Sequence, residues 1–409
     1  MTRQFWVLIH RWAGLSMAAF LIIVAVTGSL LAFYPELERL INPQLYPKQV
    51  LENKLDIATL AELAQQRVPY GQVNAVLMEA NEESTVISMN ARPDSSGQLS
   101  ELGFDQLLVD PYTGEELGKR QFGAISEGMI NFMPFIYKMH YNLALGNFGM
   151  WILGTCALIW TLDCFIGFYL TLPQRRKPPS PLTSLPVGAE NKNIWLRWQP
   201  AWKIRWKSSR YKLNFDLHRA SGLWLWLVLF IFAWSSVYMN LWDTVYTWTT
   251  RTVFDYKAPW TEFPKLNKVL EEPKVGWRQA QMIGEQLMAE QEKAHDFTVE
   301  RVVALILDRE RGIYHYVARS SRDIQDRRGG TRVFFDADTG EFKLVLLPSG
   351  QYNGNTVTSW LYALHMANIF GLSYRIFVCA LGLVIAMLSV TGIIIWMRKQ
   401  QARAGKRSS

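Results

Sequence analysis

Four long apolar stretches constrain the fold of this chain more than any other feature of its sequence. They cover residues 12–34, 150–172, 223–242 and 374–397. A helix of about 20 apolar residues crosses a hydrocarbon core that is roughly 30 Å thick. The first stretch is too long for the apolar part of an ordinary signal peptide and no clear cleavage site follows it, so we interpret it as an uncleaved anchor. The sequence therefore predicts a multi-pass protein of the lipid bilayer with four transmembrane helices.

The basic residues orient these helices, because loops rich in Lys and Arg remain in the cytoplasm. Residues 173–217 contain two acidic residues, Glu190 and Asp216, and ten basic ones: Arg175, Arg176, Lys177, Lys192, Arg197, Lys203, Arg205, Lys207, Arg210 and Lys212. The tail adds Arg398, Lys399, Arg403, Lys406 and Arg407, and Arg3 precedes the first stretch. We expect both termini in the cytoplasm. The net charge of +8 then reflects topology, and no nucleic-acid partner is expected.

The predicted organisation alternates helices with longer segments. It consists of an N-terminal segment with helix 1 (1–34), a first outer domain (35–149), helix 2 (150–172), a basic cytoplasmic loop (173–217), helix 3 (218–242), a second outer domain (243–373), helix 4 (374–397) and a cytoplasmic tail (398–409).

The two halves of the chain are related by an internal repeat. The motif His-Arg-x-x-Gly-Leu occurs at 10–15 and again at 218–223. His140 and His365 are each followed by glycines six and twenty-seven residues later. We therefore predict a membrane α+β fold made from a duplicated unit of helix, outer domain and helix.

The two outer domains have the same predicted order of elements. Apolar spacing predicts one helix in each, at 57–67 and 277–291, followed by three strands: 73–78, 85–89 and 107–109 in the first domain, and 299–307, 314–318 and 332–335 in the second. Each series ends in the turn Asp-x-x-Thr-Gly-Glu, at 110–115 and 336–341. The second turn contains Asp-x-Asp-x-Gly, which suggests calcium, but Tyr112 occupies the position of Asp338 in the first. We therefore favour a structural hairpin.

Four histidines at repeat-equivalent positions are candidate metal ligands. His10 and His218 begin helices 1 and 3 on the cytoplasmic side, whereas His140 and His365 begin helices 2 and 4 on the outer side. The two levels lie about 30 Å apart, so one metal ion cannot join them. We predict the pairs His10/His218 and His140/His365.

A haem suits such pairs better than a bare metal, because the porphyrin supplies four of the six ligands. Two histidines underfill a zinc site. Gly14 and Gly222 lie one helical turn after their histidines, where a missing side chain leaves room for a macrocycle or permits close helix packing. Arg11 and Arg219 either pair with haem propionates or mark the cytoplasmic boundary.

Other residues carry weaker signals. His295 and His315 have no repeat partner and are interpreted as surface or strand residues. Arg375 serves a propionate or extends to the membrane surface. The tryptophans near the basic loop favour the membrane interface, with a docking face for an electron donor as the alternative. The three cysteines, Cys156, Cys164 and Cys379, are interpreted as structural.

The His-Arg-x-x-Gly-Leu openings, the Asp-x-x-Thr-Gly-Glu turns and the later histidines resemble the PepSY-associated transmembrane proteins of bacterial inner membranes. Within that group the chain resembles the ferric-siderophore reductases. The resemblance implies two small PepSY-like periplasmic domains, two b-type haems held by histidines between four helices, and release of iron from its chelator in the periplasm.

We therefore expect a haem-dependent reductase whose substrate is a ferric-siderophore, with no catalytic residue assigned. No P-loop, dinucleotide-binding or flavin motif is evident, so the electron donor is expected to be external, a quinol or a soluble reductase. Two alternatives stay open. The same electron conduit can serve a cupric ion or a partner protein, or the chain can be a non-enzymatic, membrane-anchored PepSY binding or regulatory module.

Overall fold

The computed structural model describes residues 2–78, 84–93, 101–174 and 193–405. The proline-rich stretch that begins at Lys177 lies outside these residues, as do Arg175, Arg176, Glu190, Lys192, Lys406 and Arg407 of the predicted basic segments. The chain divides into two compact units. The first comprises Met1–Ser29, His140–Leu241 and Phe377–Ser409, and the second comprises Leu30–Met139 and Trp242–Ile376.

Three helices are long and apolar enough to cross a membrane: Arg3–Leu31, Gly146–Thr171 and Gly371–Gly405, of which Gly371–Ala402 forms the candidate span. Three of the four predicted stretches therefore correspond to continuous helices. The first helix begins nine residues before its apolar stretch, because helical geometry continues through the polar N-terminal residues. His10 therefore lies in the third turn of this helix and not at its start.

The third predicted stretch, 223–242, is not one straight helix. Helices Arg210–Trp224 and Trp226–Asn240 meet there at an angle of 71°. The bend follows the pair Ser221-Gly222, a combination at which sharp helix bends are common. The second arm has 15 residues and is about 22 Å long, shorter than a hydrocarbon core. Four spans are present only if this bent pair counts as one.

The described part of the basic loop packs beside these helices through tryptophans. Helix Ile194–Trp198 and the 3₁₀ turn Gln199–Trp202 bring the rings of Trp195 and Trp202 against that of Trp198, with centroid distances to Trp198 of 5.5 and 5.1 Å. The indole of Trp198 donates a hydrogen bond to Thr171 Oγ1 (3.1 Å). Trp195 remains more than half exposed, as suits an interfacial side chain.

The second unit is built on one antiparallel sheet. Its strands are β1 (Gly71–Leu77), β2 (Thr85–Ala91), β3 (Gln106–Val109), β4 (Glu116–Arg120), β5 (Val299–Asp308), β6 (Ile313–Ser320), β7 (Thr331–Asp336) and β8 (Phe342–Leu346). Their order in the sheet is β4-β3-β2-β1-β5-β6-β7-β8. The two segments predicted as outer domains thus share a sheet, since β1 pairs with β5 through Ala75–Ile306, Val76–Leu305 and Leu77–Ala304.

Helices Ile57–Arg67 and Trp277–His295 cover the sheet and share its hydrophobic core. The first begins where predicted, because the carboxylate of Asp56 accepts a hydrogen bond from the N–H of Thr59 (2.9 Å). The six predicted strands are confirmed with shifts of one or two residues at their ends. The edge strands β4 and β8 were not predicted.

The two hairpin turns are confirmed. Asp110 Oδ1 accepts hydrogen bonds from the N–H groups of Tyr112 (2.8 Å) and Thr113 (3.3 Å), and Gly114 adopts a φ of 70°. Asp336 Oδ1 likewise accepts from Asp338 and Thr339, both at 3.0 Å, and Gly340 has a φ of 73°. The aspartates thus close their own turns, as the structural interpretation predicted.

Two helices precede long spans. Helix Phe132–Asn142 carries His140 in its last turn, and helix Asn353–His365 ends on the second histidine. Left-handed backbone follows each, reaching Gly146 (φ 60°) and Gly371 (φ 62°), where the spans begin. His140 and His365 therefore lie on separate helices before the spans and not on the spans themselves. The remaining helical segments are Tyr34–Ile41, Pro43–Leu45, Ile125–Glu127, Met129–Asn131, the π-helix Trp242–Tyr246, Thr247–Val253 and Pro259–Glu262.

Candidate functional site

The first unit brings the imidazole rings of His10 and His218 close together, in an edge-on arrangement. Their ring centroids are 6.1 Å apart and their planes make an angle of 63°. His10 belongs to helix Arg3–Leu31 and His218 to the first arm of the bent pair. The structure thus brings together two of the four predicted ligands in the predicted combination.

The Nδ1 atom of His10 is held by a carboxylate. It lies 2.9 Å from both side-chain oxygens of Asp163, on helix Gly146–Thr171. The side chain of Asp163 is only 9% exposed. Because carboxylate oxygens accept hydrogen bonds, Nδ1 carries the proton in neutral His10 and the lone pair lies on Nε2. Asp163 was not among the residues predicted from the sequence, although a single acid inside an apolar stretch is a functional signal.

The Nδ1 atom of His218 is held by helix Gly371–Gly405. It lies 3.0 Å from the carbonyl oxygen of Leu388 and 3.1 Å from Oγ1 of Thr391. A carbonyl oxygen can only accept, so His218 also carries its proton on Nδ1 and its lone pair on Nε2. Within the described residues, neither Nε2 has a hydrogen-bond partner. Both imidazoles are therefore in the tautomer of a metal-binding histidine, in which Nδ1–H donates a hydrogen bond to the protein and Nε2 is available to the metal.

The distance between the two rings suits a hexacoordinate iron. Metal–nitrogen distances of about 2.0 Å, with each ring centroid about 1.1 Å beyond its nitrogen, predict a centroid separation of about 6.2 Å. The observed separation is 6.1 Å. No group of three or more His, Cys, Asp or Glu side chains that could hold a metal is found in the described part of the chain, and a two-histidine site requires other ligands such as a porphyrin.

Glycines surround this pair in two different ways. A Cβ at Gly167 would lie 3.5 Å from Cε1 of His10, and a Cβ at Gly392 would lie 3.3 Å from Cε1 of His218. These two glycines allow the rings to pack directly on the span helices. In contrast, a Cβ at Gly14 would meet no atom within 4 Å, and one at Gly222 would meet only Leu388 Cδ2 at 4.0 Å. The predicted space beside the histidines is therefore present, and the residues fit a bis-histidine haem.

The two arginines next to the histidines differ. Arg219 donates hydrogen bonds to the carbonyl oxygen of Pro200 (2.7 Å) and to Oδ1 of Asp216 (3.0 Å), and its buried Nε lacks a partner. Asp216 is also bound by Arg205 at 2.6 Å. Arg11 has no ion-pair or hydrogen-bond partner among the described residues. Arg11 is thus the better candidate for a propionate.

His140 lies against the first span helix. Its Nδ1 is 3.1 Å from Oγ1 of Thr27, whose hydroxyl donates to the carbonyl oxygen of Ile23 at 2.7 Å. A Cβ at Gly28 would lie 2.8 Å from Cε1 of His140. The imidazole is therefore fixed by a hydrogen bond and a close helix contact. His365 belongs to the second unit, and its pairing with His140 stays a prediction.

The structure also places the weaker candidates from the sequence. Arg375 forms an ion pair with both carboxylate oxygens of Glu36 and donates to the carbonyl of Ala32 (2.7 Å), so neither predicted role describes it. His315 is a strand residue of β6, as predicted, with its ring centroid 4.6 Å from that of Phe334. Its Nε2 is buried without a partner, and burial lowers its pKa to about 3. The three cysteines are free thiols.

Helices able to cross a membrane, an eight-stranded sheet and a pair of histidines between the helices define a multi-pass membrane protein of the α+β class. A family model described as the PepSY-associated TM region matches residues 7–399, and the chain belongs to this family. The match includes all four candidate histidines, so the family resemblance seen in the sequence motifs is confirmed. A comparison with curated proteins finds no match.

Proposed function

We propose that this protein is a haem-dependent reductase of the bacterial inner membrane that transfers electrons to a periplasmic ferric-siderophore. The observation that carries the proposal is the His10/His218 pair. Asp163 accepts a hydrogen bond from Nδ1 of His10, the Leu388 carbonyl accepts one from Nδ1 of His218, and the ring separation suits one iron. The substrate is proposed from the resemblance to ferric-siderophore reductases.

Two b-type haems, at His10/His218 and His140/His365, would supply one-electron transfer across the bilayer. The duplicated arrangement supports the second pair, because each outer histidine lies in the last turn of a helix and precedes left-handed backbone and a span. On the cytoplasmic side, Arg11 would bind a propionate. The helix glycines at 14 and 222 would leave room for the macrocycle.

The proposed topology has four spans, the bent pair being the third, with both termini cytoplasmic. It follows from the basic residues of the loop and the tail and places the eight-stranded sheet in the periplasm. An external quinol or soluble reductase would supply the electrons. One quinol yields two electrons and two protons, so it reduces two Fe(III) chelates to Fe(II). Iron leaves the chelator because hard oxygen donors hold the lower charge less strongly.

Reoxidation of the reduced protein tests this function. We would purify the full chain from haem-replete cells, reduce it without oxygen and mix it with a ferric hydroxamate or catecholate chelate. The expected result is a bis-histidine haem spectrum that returns to the ferric form while a chromogenic ligand traps Fe(II). A parallel reaction with a cupric ion compares the alternative acceptor. A haem spectrum that no ferric chelate reoxidises contradicts the proposed substrate. Absence of haem supports a non-enzymatic module instead.

A further inference from the structure

Asp163 is the only acidic residue within the four apolar stretches of this sequence. Both of its carboxylate oxygens lie 2.9 Å from Nδ1 of His10, and its side chain is almost fully buried. Placing a carboxylate at the centre of a membrane helix costs about 2.5–3.5 kcal/mol on insertion scales. Because of this cost, ionisable residues inside spans usually have a functional role.

The position equivalent to Asp163 in the other half of the internal repeat has no carboxylate. Asp163 follows His140 by 23 residues, and Leu388 follows His365 by the same interval. The two repeat-equivalent positions both supply the hydrogen-bond acceptor for an Nδ1 atom. At His10 the acceptor is a carboxylate, whereas at His218 it is the backbone carbonyl of Leu388. Of the two candidate ligands, His10 thus has an anionic partner and His218 a neutral one.

An anionic acceptor changes the ligand it holds. It draws the Nδ1 proton away from the imidazole and so makes Nε2 a stronger electron donor to a metal. The carboxylate also brings a negative charge near the metal in a medium of low dielectric constant. Both effects stabilise Fe(III) relative to Fe(II), because the ferric ion has one more positive charge. Hydrogen bonding and charge around the ligands are among the features that set the potential of a haem.

We infer that Asp163 is a positioning residue that lowers the reduction potential of the metal centre held by His10 and His218. The inference rests on the proposed function for the presence of haem there. A lower potential at the cytoplasmic centre than at the His140/His365 centre directs electrons outward, toward the periplasmic acceptor. Asp163 would thus give the nearly symmetric pair of centres a direction.

The test is a potentiometric titration of the purified full chain carrying Asp163→Asn, which keeps the shape of the side chain and removes its charge. We expect the ferrous-to-ferric equilibrium constant of one haem to shift at least tenfold toward Fe(II), which is 59 mV for a one-electron couple. The other haem should not change. Thr161→Val is the matched control, because it removes a buried neutral hydroxyl from the same helix, one that donates to the Ala157 carbonyl at 2.8 Å. We expect it to shift either constant by less than threefold.

The outcomes separate the inference from the proposed function. A wild-type protein without haem contradicts the proposed function. Wild-type haem content in Asp163→Asn with both potentials unchanged overturns the inference and leaves the two-haem proposal intact. If Asp163→Asn retains only one haem, Asp163→Glu, which restores the carboxylate, carries the test. In Asp163→Glu, a ferrous-to-ferric equilibrium constant within threefold of the wild-type value supports the inference. A shift of that constant by at least tenfold toward Fe(II) overturns it.

Discussion

Three glycines touch the candidate ligands at graded distances, and this grading predicts a graded response to alanine. An added Cβ would lie 2.8 Å from the nearest ring atom of His140 at Gly28, 3.3 Å from that of His218 at Gly392, and 3.5 Å from that of His10 at Gly167. The same chemical change, one methyl group on a helix, thus tests three imidazoles in one protein.

The size of each effect follows from these distances. Ordinary contact begins at 3.4 Å, so Gly28→Ala must displace the His140 ring by about 0.6 Å (3.4 minus 2.8), Gly392→Ala by about 0.1 Å, and Gly167→Ala not at all. A ligand must keep its geometry to within about 0.5 Å to function. Overpacking of this kind costs about 1–3 kcal/mol. If that cost falls on ligand geometry, Gly28→Ala weakens haem binding at His140 by about 5- to 150-fold.

The assay is a haem titration of protein prepared from haem-limited cells, with occupancy followed by absorption and stability by thermal melting. We expect Gly28→Ala to lose affinity at one site and Gly167→Ala and Gly392→Ala to remain within about threefold of wild type at both. Gly167→Ala is the matched control, since it adds the same methyl group on a span helix. Wild-type affinity in Gly28→Ala, or an equal loss in Gly167→Ala, would refute the reasoning.

Two further predictions concern the second unit. His315→Phe removes a buried Nε2 that lacks a partner, so we expect about 1 kcal/mol of added stability at neutral pH. Burial lowers the folded-state pKa of His315 to about 3, below its unfolded value of about 6.5. The wild-type protein therefore loses stability as the pH falls from about 6.5 towards 3, and melting curves of His315→Phe should show a smaller loss; equal slopes would contradict this. Arg120 and Glu38 form a buried ion pair at 2.6 Å. Arg120→Ala leaves the Glu38 charge buried and unpaired, so it should lower the free energy of unfolding in denaturant by about 3–5 kcal/mol, whereas Arg120→Leu/Glu38→Leu should lower it much less. Equal losses in the two variants would show that the uncompensated charge is not the cause.

Local patterns in the sequence predicted the elements that depend on neighbouring residues. Helix 57–67 and the two Asp-x-x-Thr-Gly-Glu turns form through contacts within a few residues, so they appear as predicted. The predicted combination of His10 with His218 came from repeat equivalence and membrane level, and the structure brings these residues together.

Features that depend on distant parts of the chain were missed. Asp163 and His10 are 153 residues apart, and only the packing of two helices reveals their contact. The joining of β1 to β5 is likewise an edge-to-edge contact between the two halves. Edge strand β4 (Glu116–Arg120) is rich in charged residues and half exposed, so its alternation is weak. The 71° bend after Ser221-Gly222 lies within an apolar stretch whose composition indicates a continuous helix.

Haem counts in paired histidine variants test the central claim most directly. Same-level pairing predicts about two haems per wild-type chain and about one in His10→Ala/His218→Ala, because both changes affect a single site. It predicts none in His10→Ala/His140→Ala, because each change affects a different site. A wild-type protein without haem, or a His10→Ala/His140→Ala protein that retains one full haem, would contradict the account.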